Sequence, residues 1–195
     1  MPRPNLTEQR TQEILDAFER CLPRYGLQGT SLEHVAEEAG VKRTIIRHYV
    51  GNRDHLLSAL VARYLERSEA SLDAFIAALP AKQRSRTAVE WLFDPQYSDA
   101  QMVQVANALI AAASEDEALA REMQTWLTLF VARLEQVFAS DFPHAERETL
   151  TAVAAGITGI YFNVEALYPL GDVSSLAAAS KAAALLLIET LEKNG

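Results

Sequence analysis

Residues 31–50, SLEHVAEEAGVKRTIIRHYV, decide the fold. Leu32, Val35, Ala36 and Ala39 stand at offsets 0, 3, 4 and 7, the spacing of one face of a helix. Gly40 follows where a left-handed residue ends a helix cheaply. A second short helix is expected over residues 43–50, with Val41, Ile46 and Val50 turned inward. Two short helices joined by a glycine-containing turn make a helix-turn-helix pattern, and Ala36 is small where the two must approach closely. With Ile46 as the inward reference and about 100° per residue, Thr44 and His48 face most nearly outward, flanked by Ile45 and Arg47.

Working outward, residues 7–24 carry Ile14, Phe18 and Cys21, then Tyr25, at offsets 0, 4, 7 and 11, with Leu15 and Leu22 beside them. This is an amphipathic helix that Gly26 and Gly29 are expected to break. Thr30 with Glu33 reads as a capping box opening the next helix. Gly51 and Asn52 close the third helix, and Asp54 is expected to cap a fourth that runs to about Leu79, before Pro80. Further helices are expected over residues 84–93, 99–113, 116–140, 145–167 and 174–192, punctuated by Pro95, Pro143 and Pro169. No stretch alternates with period two, and no repeat of solenoid length occurs. The chain of 195 residues holds 32 Ala and 25 Leu against 12 Val and 8 Ile, which favours helix formers and an all-α class.

The formal net charge of -8 argues against a nucleic-acid partner only until it is divided along the chain. Residues 1–67 hold ten Lys and Arg against nine acids, and residues 68–195 hold eight against seventeen. Between Glu38 and Asp54 there are four cations, Lys42, Arg43, Arg47 and Arg53, and no acid. Lys42 and Arg43 stand at a helix start, where a cation opposes the macrodipole and a Ser or Asp cap is the rule. An approaching phosphate turns that misplaced charge into a benefit, whereas the plainer reading is a solvated basic face. An outward Ile45 is poor for solubility and suits contact with a thymine methyl.

These segments together resemble the tetracycline-repressor-like (TetR) family of bacterial transcriptional regulators. The likeness covers about residues 7–57, through YGLQGTS, VAEEAGV, IIRHYV and GNRDHLL; the remainder agrees only in being helical and of typical length. The resemblance implies a three-helix DNA-binding domain over residues 1–53, joined by a long helix to a helical effector-binding and dimerisation domain over residues 54–195. It places Lys42, Arg43, Thr44, Ile45, Arg47, His48 and Tyr49 on DNA-contacting positions and Arg53 on a phosphate-contacting one. Lys42, Ile45 and Arg47 depart from the family's usual Ser, hydroxyl and Tyr residues, so the operator cannot be transferred from relatives. Arg43 and Arg47 are the expected guanine readers, because a guanidinium bonds O6 and N7 together.

In the C-terminal region Trp91, Tyr97, Met102, Asn107, Trp126, Phe130, Tyr161 and Tyr168 mix rings and polar groups among apolar residues. Trp126 and Phe130 share a helical face, and Thr158, Tyr161, Glu165 and Tyr168 fall at offsets 0, 3, 7 and 10 on another. A cavity for a small, mainly apolar effector is expected there, as the resemblance also implies. Ala152, Ala155, Gly156 and Gly159, with Ala178 and Ala182 on the last helix, allow close helix approach. They fit either tight packing within one subunit or the homodimer interface that the resemblance implies. A dimer also supplies the two half-sites that a small helix-turn-helix needs on double-stranded operator DNA.

Cofactor and metal are expected to be absent: His34, His48, His55 and His144 lack the HExxH spacing, and neither GxxxxGK nor GxSxG occurs. The lone Cys21 and an N-terminus without a secretory pattern suggest a cytoplasmic protein, and no apolar run reaches a membrane span. The principal reading is a repressor released from its operator by an effector. A helical adaptor that binds an acidic protein, and an enzyme without a recognisable motif, are the rival readings.

Overall fold

The computed structural model describes residues 6–193, which contain nine α-helices, two short 3-10 turns and no strand. The helices are α1 Leu6–Gly29, α2 Leu32–Glu38, α3 Arg43–Tyr49, α4 Arg53–Ala78 and α5 Arg84–Leu92. They continue as α6 Ala100–Ala112, α7 Glu117–Asp141, α8 Arg147–Leu167 and α9 Ser174–Lys193. The chain gathers into two compact units. One comprises the described residues up to Ser68 with Gln104–Ala120, and the other Glu69–Val103 with the described residues from Arg121 onward. Helices α4, α6 and α7 each contribute to both.

In the first unit α1, α2 and α3 pack on one another around Phe18, Cys21, Leu22, Val35 and Ile46. The stripe read from the sequence is the buried face of α1, with Ile14, Leu15, Phe18, Cys21 and Leu22 all inside. The helix does not stop at Gly26 as expected but kinks there, because Gly26 takes φ 63°, which a side chain would resist, and helix resumes to Gly29. The capping box also lies one residue later than the sequence suggested. Ser31 Oγ accepts from the His34 amide at 3.2 Å, and His34 Nδ1 accepts from the Ser31 amide at 3.3 Å. Thr30 is buried with its hydroxyl donating to the Gly26 carbonyl at 2.6 Å, so it cannot cap. Asn52 rather than Asp54 caps α4, its Oδ1 accepting from the His55 amide at 2.9 Å. Asp54 lies in the first turn, where its charge still complements the dipole.

The same unit holds a buried ionic group between α1 and α4. Glu19 is 4% exposed and Arg63 8%. Arg63 donates to Glu19 Oε1 through Nε at 3.0 Å and Nη2 at 2.5 Å, and Arg67 adds contacts at 3.4 Å. Arg63 Nη1 also reaches Gln12 Oε1 at 3.0 Å and Asp16 at 2.8 Å.

In the second unit α8 and α9 pack together, and α5 packs on α9. The core contains Val89, Leu134, Phe138, Ala154, Ile157, Ala184, Ile188 and Leu191. The start of α5 has no cap of its own. Gln83 stands before it in the left-handed region at φ 57°, and the Ser85 amide donates to Asp141 Oδ2, at the end of α7, at 2.7 Å. Arg84 donates to the carbonyls of Ile76, Leu79 and Pro80, which covers acceptors at the end of α4. Two segments, Arg147–Leu170 and Ser174–Lys193, have the length and apolar composition of a bilayer span, with mean hydropathy 1.4 and 1.3. The sequence reading found none because it weighed the longest Ala/Leu stretch, which Lys181 and Glu189 keep short.

Candidate functional site

The turn between α2 and α3 is closed by backbone bonds from Gly40 to Glu37 at 3.1 Å and from Val41 to Ala36 at 2.9 Å. Gly40 takes φ 65°, the left-handed conformation its position required. Of α3 only Ile46 is buried, at 0% exposure. Lys42, Arg43, Thr44, Ile45, Arg47 and His48 are exposed, Tyr49 is half-buried, and its ring meets His48 edge-on at 4.9 Å. Val50, expected inside, is half-buried. Lys42 occupies the N-cap without a side-chain cap bond, and the first turn contains no acid, so the break with capping rules read from the sequence is present in the fold.

Two of the expected DNA-contacting cations already have partners within the protein. Arg43 pairs with Glu33 at 2.5 Å, with both side chains more than half exposed. Arg53, expected as a phosphate anchor, turns onto the backbone. Its Nη2 donates to the carbonyls of Leu27 at 2.8 Å and Gln28 at 3.2 Å, and its Nε reaches Thr30 at 3.5 Å. It therefore ties the start of α4 to the end of α1 and to Thr30 just beyond it. Sequence reasoning missed this because the acceptors are carbonyls 23 to 26 residues away, which no residue pattern advertises.

The eight residues expected to line an effector cavity do not form one cluster. Trp91 and Tyr97 stack at 5.0 Å, and Phe75 meets Trp91 edge-on at 6.0 Å. Phe130 lies parallel to Tyr161 at 6.2 Å, and Phe162 bridges Phe130 at 5.1 Å and Trp126 at 5.2 Å. Phe162, Phe75 and Phe93, which meets Tyr161 at 6.1 Å, escaped the sequence reading because an apolar ring on an apolar face looks like plain core. Met102 is half-buried, and Asn107 belongs to the other compact unit. Tyr168 is half-buried, and burial, with a lesser push from the Glu165 carboxylate, raises its phenol above the ordinary value. Glu165 itself is 3% exposed, and its Oε2 accepts from Ser98 Oγ at 2.7 Å. Burial pushes its carboxyl above the ordinary range, partly offset by the Ser98 bond.

On α8 and α9, Ala152, Ala155, Gly159, Ala178 and Ala182 are exposed, as are Leu176 and Leu186. Gly156 is different: a methyl there would come within 3.2 Å of Leu187 Cδ1, so this glycine serves packing of α8 on α9 within the chain. Cys21 is buried and its thiol is pushed up by desolvation, the condition of an unreactive core cysteine. Among the described residues no group of three His, Cys, Asp or Glu is placed to hold a metal.

A buried Ile46 under an exposed, cationic helix after a tight glycine turn defines a helix-turn-helix DNA-binding protein. Residues 14–60 match the model of the tetR family of bacterial regulatory proteins. Over 164 residues the chain is 29% identical to the HTH-type transcriptional regulator BetI of Burkholderia cenocepacia (strain HI2424), covering 83% of this chain and 84% of that one. BetI of Burkholderia mallei (strain NCTC 10229) is similar to the same extent. A putative transcriptional regulator from Pseudomonas aeruginosa PAO1 shares the fold at a TM-score of 0.72 and 23% identity, over 97% of this chain and 93% of that one. A TetR transcription regulator from Haloarcula marismortui ATCC 43049 does so at 0.74 and 18% identity, over 93% and 97%. Residues 14–60 thus carry a DNA-binding module of the tetR kind, and the chain is similar over most of its length to DNA-binding transcriptional regulators; TetR-family regulators bind operator DNA and act as dimers.

Proposed function

We propose that the protein is a cytoplasmic, homodimeric repressor that an effector releases from its operator. The observation that carries this reading is α3 with its N-cap Lys42, where one buried side chain, Ile46, leaves six side chains facing solvent, three of them the cations Lys42, Arg43 and Arg47. Arg47 and Arg43 read guanine edges, Thr44, Ile45, His48 and Tyr49 complete the groove contacts, and Lys42 neutralises phosphate. Arg53 acts through the protein, holding α4 against the preceding segment while leaving Nη1 for a phosphate. The functional boundary is placed between residues 53 and 54.

The exposed small residues of α8 and α9 form the dimer face, which brings two copies of α3 to successive major grooves about one helical turn apart. A small, mainly apolar effector sits among the rings of the second unit. Because α4 belongs to both units, effector binding that shifts it changes the spacing of the two recognition helices, with a coupling of about 1 to 3 kcal/mol.

Selection of bound fragments from random duplex DNA tests the reading and is expected to return a near-palindromic site. Arg47→Ala should then relax base preference at one position and cost about 1 to 3 kcal/mol. Recovery of no preferred sequence by the unmodified protein overturns the assignment. The dimer face has its own test. An added side chain at Gly159 meets no atom of the same chain within 4 Å, so Gly159→Arg should not destabilise the isolated protomer, whose helix it favours, and should shift sedimentation toward monomer. An unmodified protein that sediments as a monomer at micromolar concentration removes the interface.

A further inference from the structure

We propose that Glu33 is a positioning residue for DNA reading: its carboxylate, carried by α2, aims the Arg43 guanidinium at one base and withholds it from phosphate. The proposal rests on the reading of Arg43 as a guanine contact and adds the group that orients it. Glu33 Oε1 stands 2.5 Å from Arg43 Nη1. Both side chains start from fixed backbone. The Ser31–His34 capping box brackets Glu33, with the Tyr25 ring stacked on His34 at 4.0 Å. Arg43 opens α3, whose approach to α2 is set by the bond from the Val41 amide to the Ala36 carbonyl and by the buried Ile46.

A pair in which each side chain is more than half exposed adds little to stability in water. Its position gives it another use. The first turn of α3 holds no acid and Lys42 makes no side-chain cap bond, so the carboxylate beside Arg43 comes from the other helix of the motif. An unrestrained arginine at a helix start can settle on a phosphate, where every sequence is alike. Binding Glu33 through Nη1 leaves the edge formed by Nε and Nη2, whose two parallel donors match guanine O6 and N7. Arg43 can therefore keep Glu33 and read a base together. The carboxylate also offsets the guanidinium charge that a phosphate would seek, and so penalises contact with non-operator DNA more than contact with the base. The plainer role of Glu33 is to complement the dipole in the first turn of α2. That role alone predicts a change in melting and none in what is read.

The test uses the full chain, the operator returned by selection, its single-base-pair variants and a non-operator duplex of equal length, with binding followed by fluorescence anisotropy at several salt concentrations. Arg43→Ala identifies the base pair in each half-site that Arg43 reads. Glu33→Gln is expected to lower discrimination at that base pair at least about threefold while leaving other positions within about twofold. It should also bind the non-operator duplex at least about threefold more tightly, with a salt slope steeper by about one, because the freed guanidinium reaches phosphate. Glu33→Asp keeps the charge but draws it back by one methylene, so it should lose part of the discrimination with non-operator affinity within about twofold. Adding Glu33→Gln to Arg43→Ala should cost no further discrimination at the shared base pair. Unchanged discrimination there in both Glu33 variants overturns the proposal, as does an equal loss at every position. If the Gln variant fails to fold, the Asp variant decides. An Arg43→Ala variant that alters no base pair removes the guanine reading of Arg43 and the proposal with it. If Arg43→Ala relaxes a base pair that the Glu33 variants leave intact, the reading stands and the positioning role alone is lost.

Discussion

Each unit of the protein buries one glutamate deeply, and the two are handled in opposite ways. Glu19, 4% exposed, receives three donors within reach of Oε1 and a further contact on Oε2, all from Arg63 and Arg67. Glu165, 3% exposed, receives one hydroxyl. The first is a closed ionic group whose loss would open the seam between α1 and α4; the second is charge-bearing chemistry left without a counter-charge. Burial alone therefore says little about a carboxylate's purpose. What separates the two is whether the protein itself supplies a cation beside the carboxylate.

The largest expected effect strikes the closed group. Arg63→Ala leaves Glu19 inside without its main partner and should destabilise the protein by about 3 to 5 kcal/mol in urea unfolding. A loss below about 1 kcal/mol would show that Arg67 or water can replace Arg63 and that the group is not closed. Arg53→Ala should cost less, about 1 to 3 kcal/mol, since it removes charge-assisted bonds to carbonyls at a partly buried site. It should also weaken operator and non-operator DNA alike in gel shift, because the contact that Arg53 offers DNA is to phosphate, which carries no base information. A change in preferred sequence would instead make Arg53 a base reader.

The smallest effect, and the sharpest for the comparison, is the pH dependence of Glu165→Gln. Glu165's carboxyl is raised in the folded protein, so the folded state holds that proton more tightly than the unfolded chain, whose value is about 4.3. Stability from this group is present below the unfolded value and is lost as pH rises through the raised one. The Gln variant should accordingly match the unmodified protein in acid and gain on it as pH climbs through that window, levelling off above it. Thermal melts of the two proteins across the window provide the measurement. A variant that is less stable than the original above the window would place Glu165 with Glu19 as a structural carboxylate.

Much of the fold was legible because helical periodicity is a local property. The α1 stripe, the α2 face, Gly40 and the buried Ile46 all follow from spacing within a dozen residues. Caps were less legible, since neighbouring polar residues compete for the same amides. Thr30 was the nearer match to the capping-box pattern, yet a kink at Gly26 offered its hydroxyl a better acceptor and Ser31 took the cap. The aromatic groupings were legible as composition but not as geometry. Trp91 and Tyr97 meet because a 3-10 turn at Pro95–Tyr97 folds the chain back, whereas Trp126 and Tyr161 both meet Phe162, a residue with nothing to distinguish it in the sequence. Gly156 shows the limit of composition from another side. It shares its helix face with Ala152 and Gly159, and only the position of Leu187 reveals that it packs inward.

The Asp141 carboxylate that caps the start of α5 has a consequence for how the chain is made. The Ser85 amide waits for an acceptor 56 residues further along, and the nine residues of α5 are too few to hold a helix alone. During synthesis, α5 therefore leaves the ribosome before the residue that caps it exists, and it can settle only when the end of α7 has emerged. The order of assembly in this unit runs against the order of translation, with the later helix docking first and the earlier one completing on it.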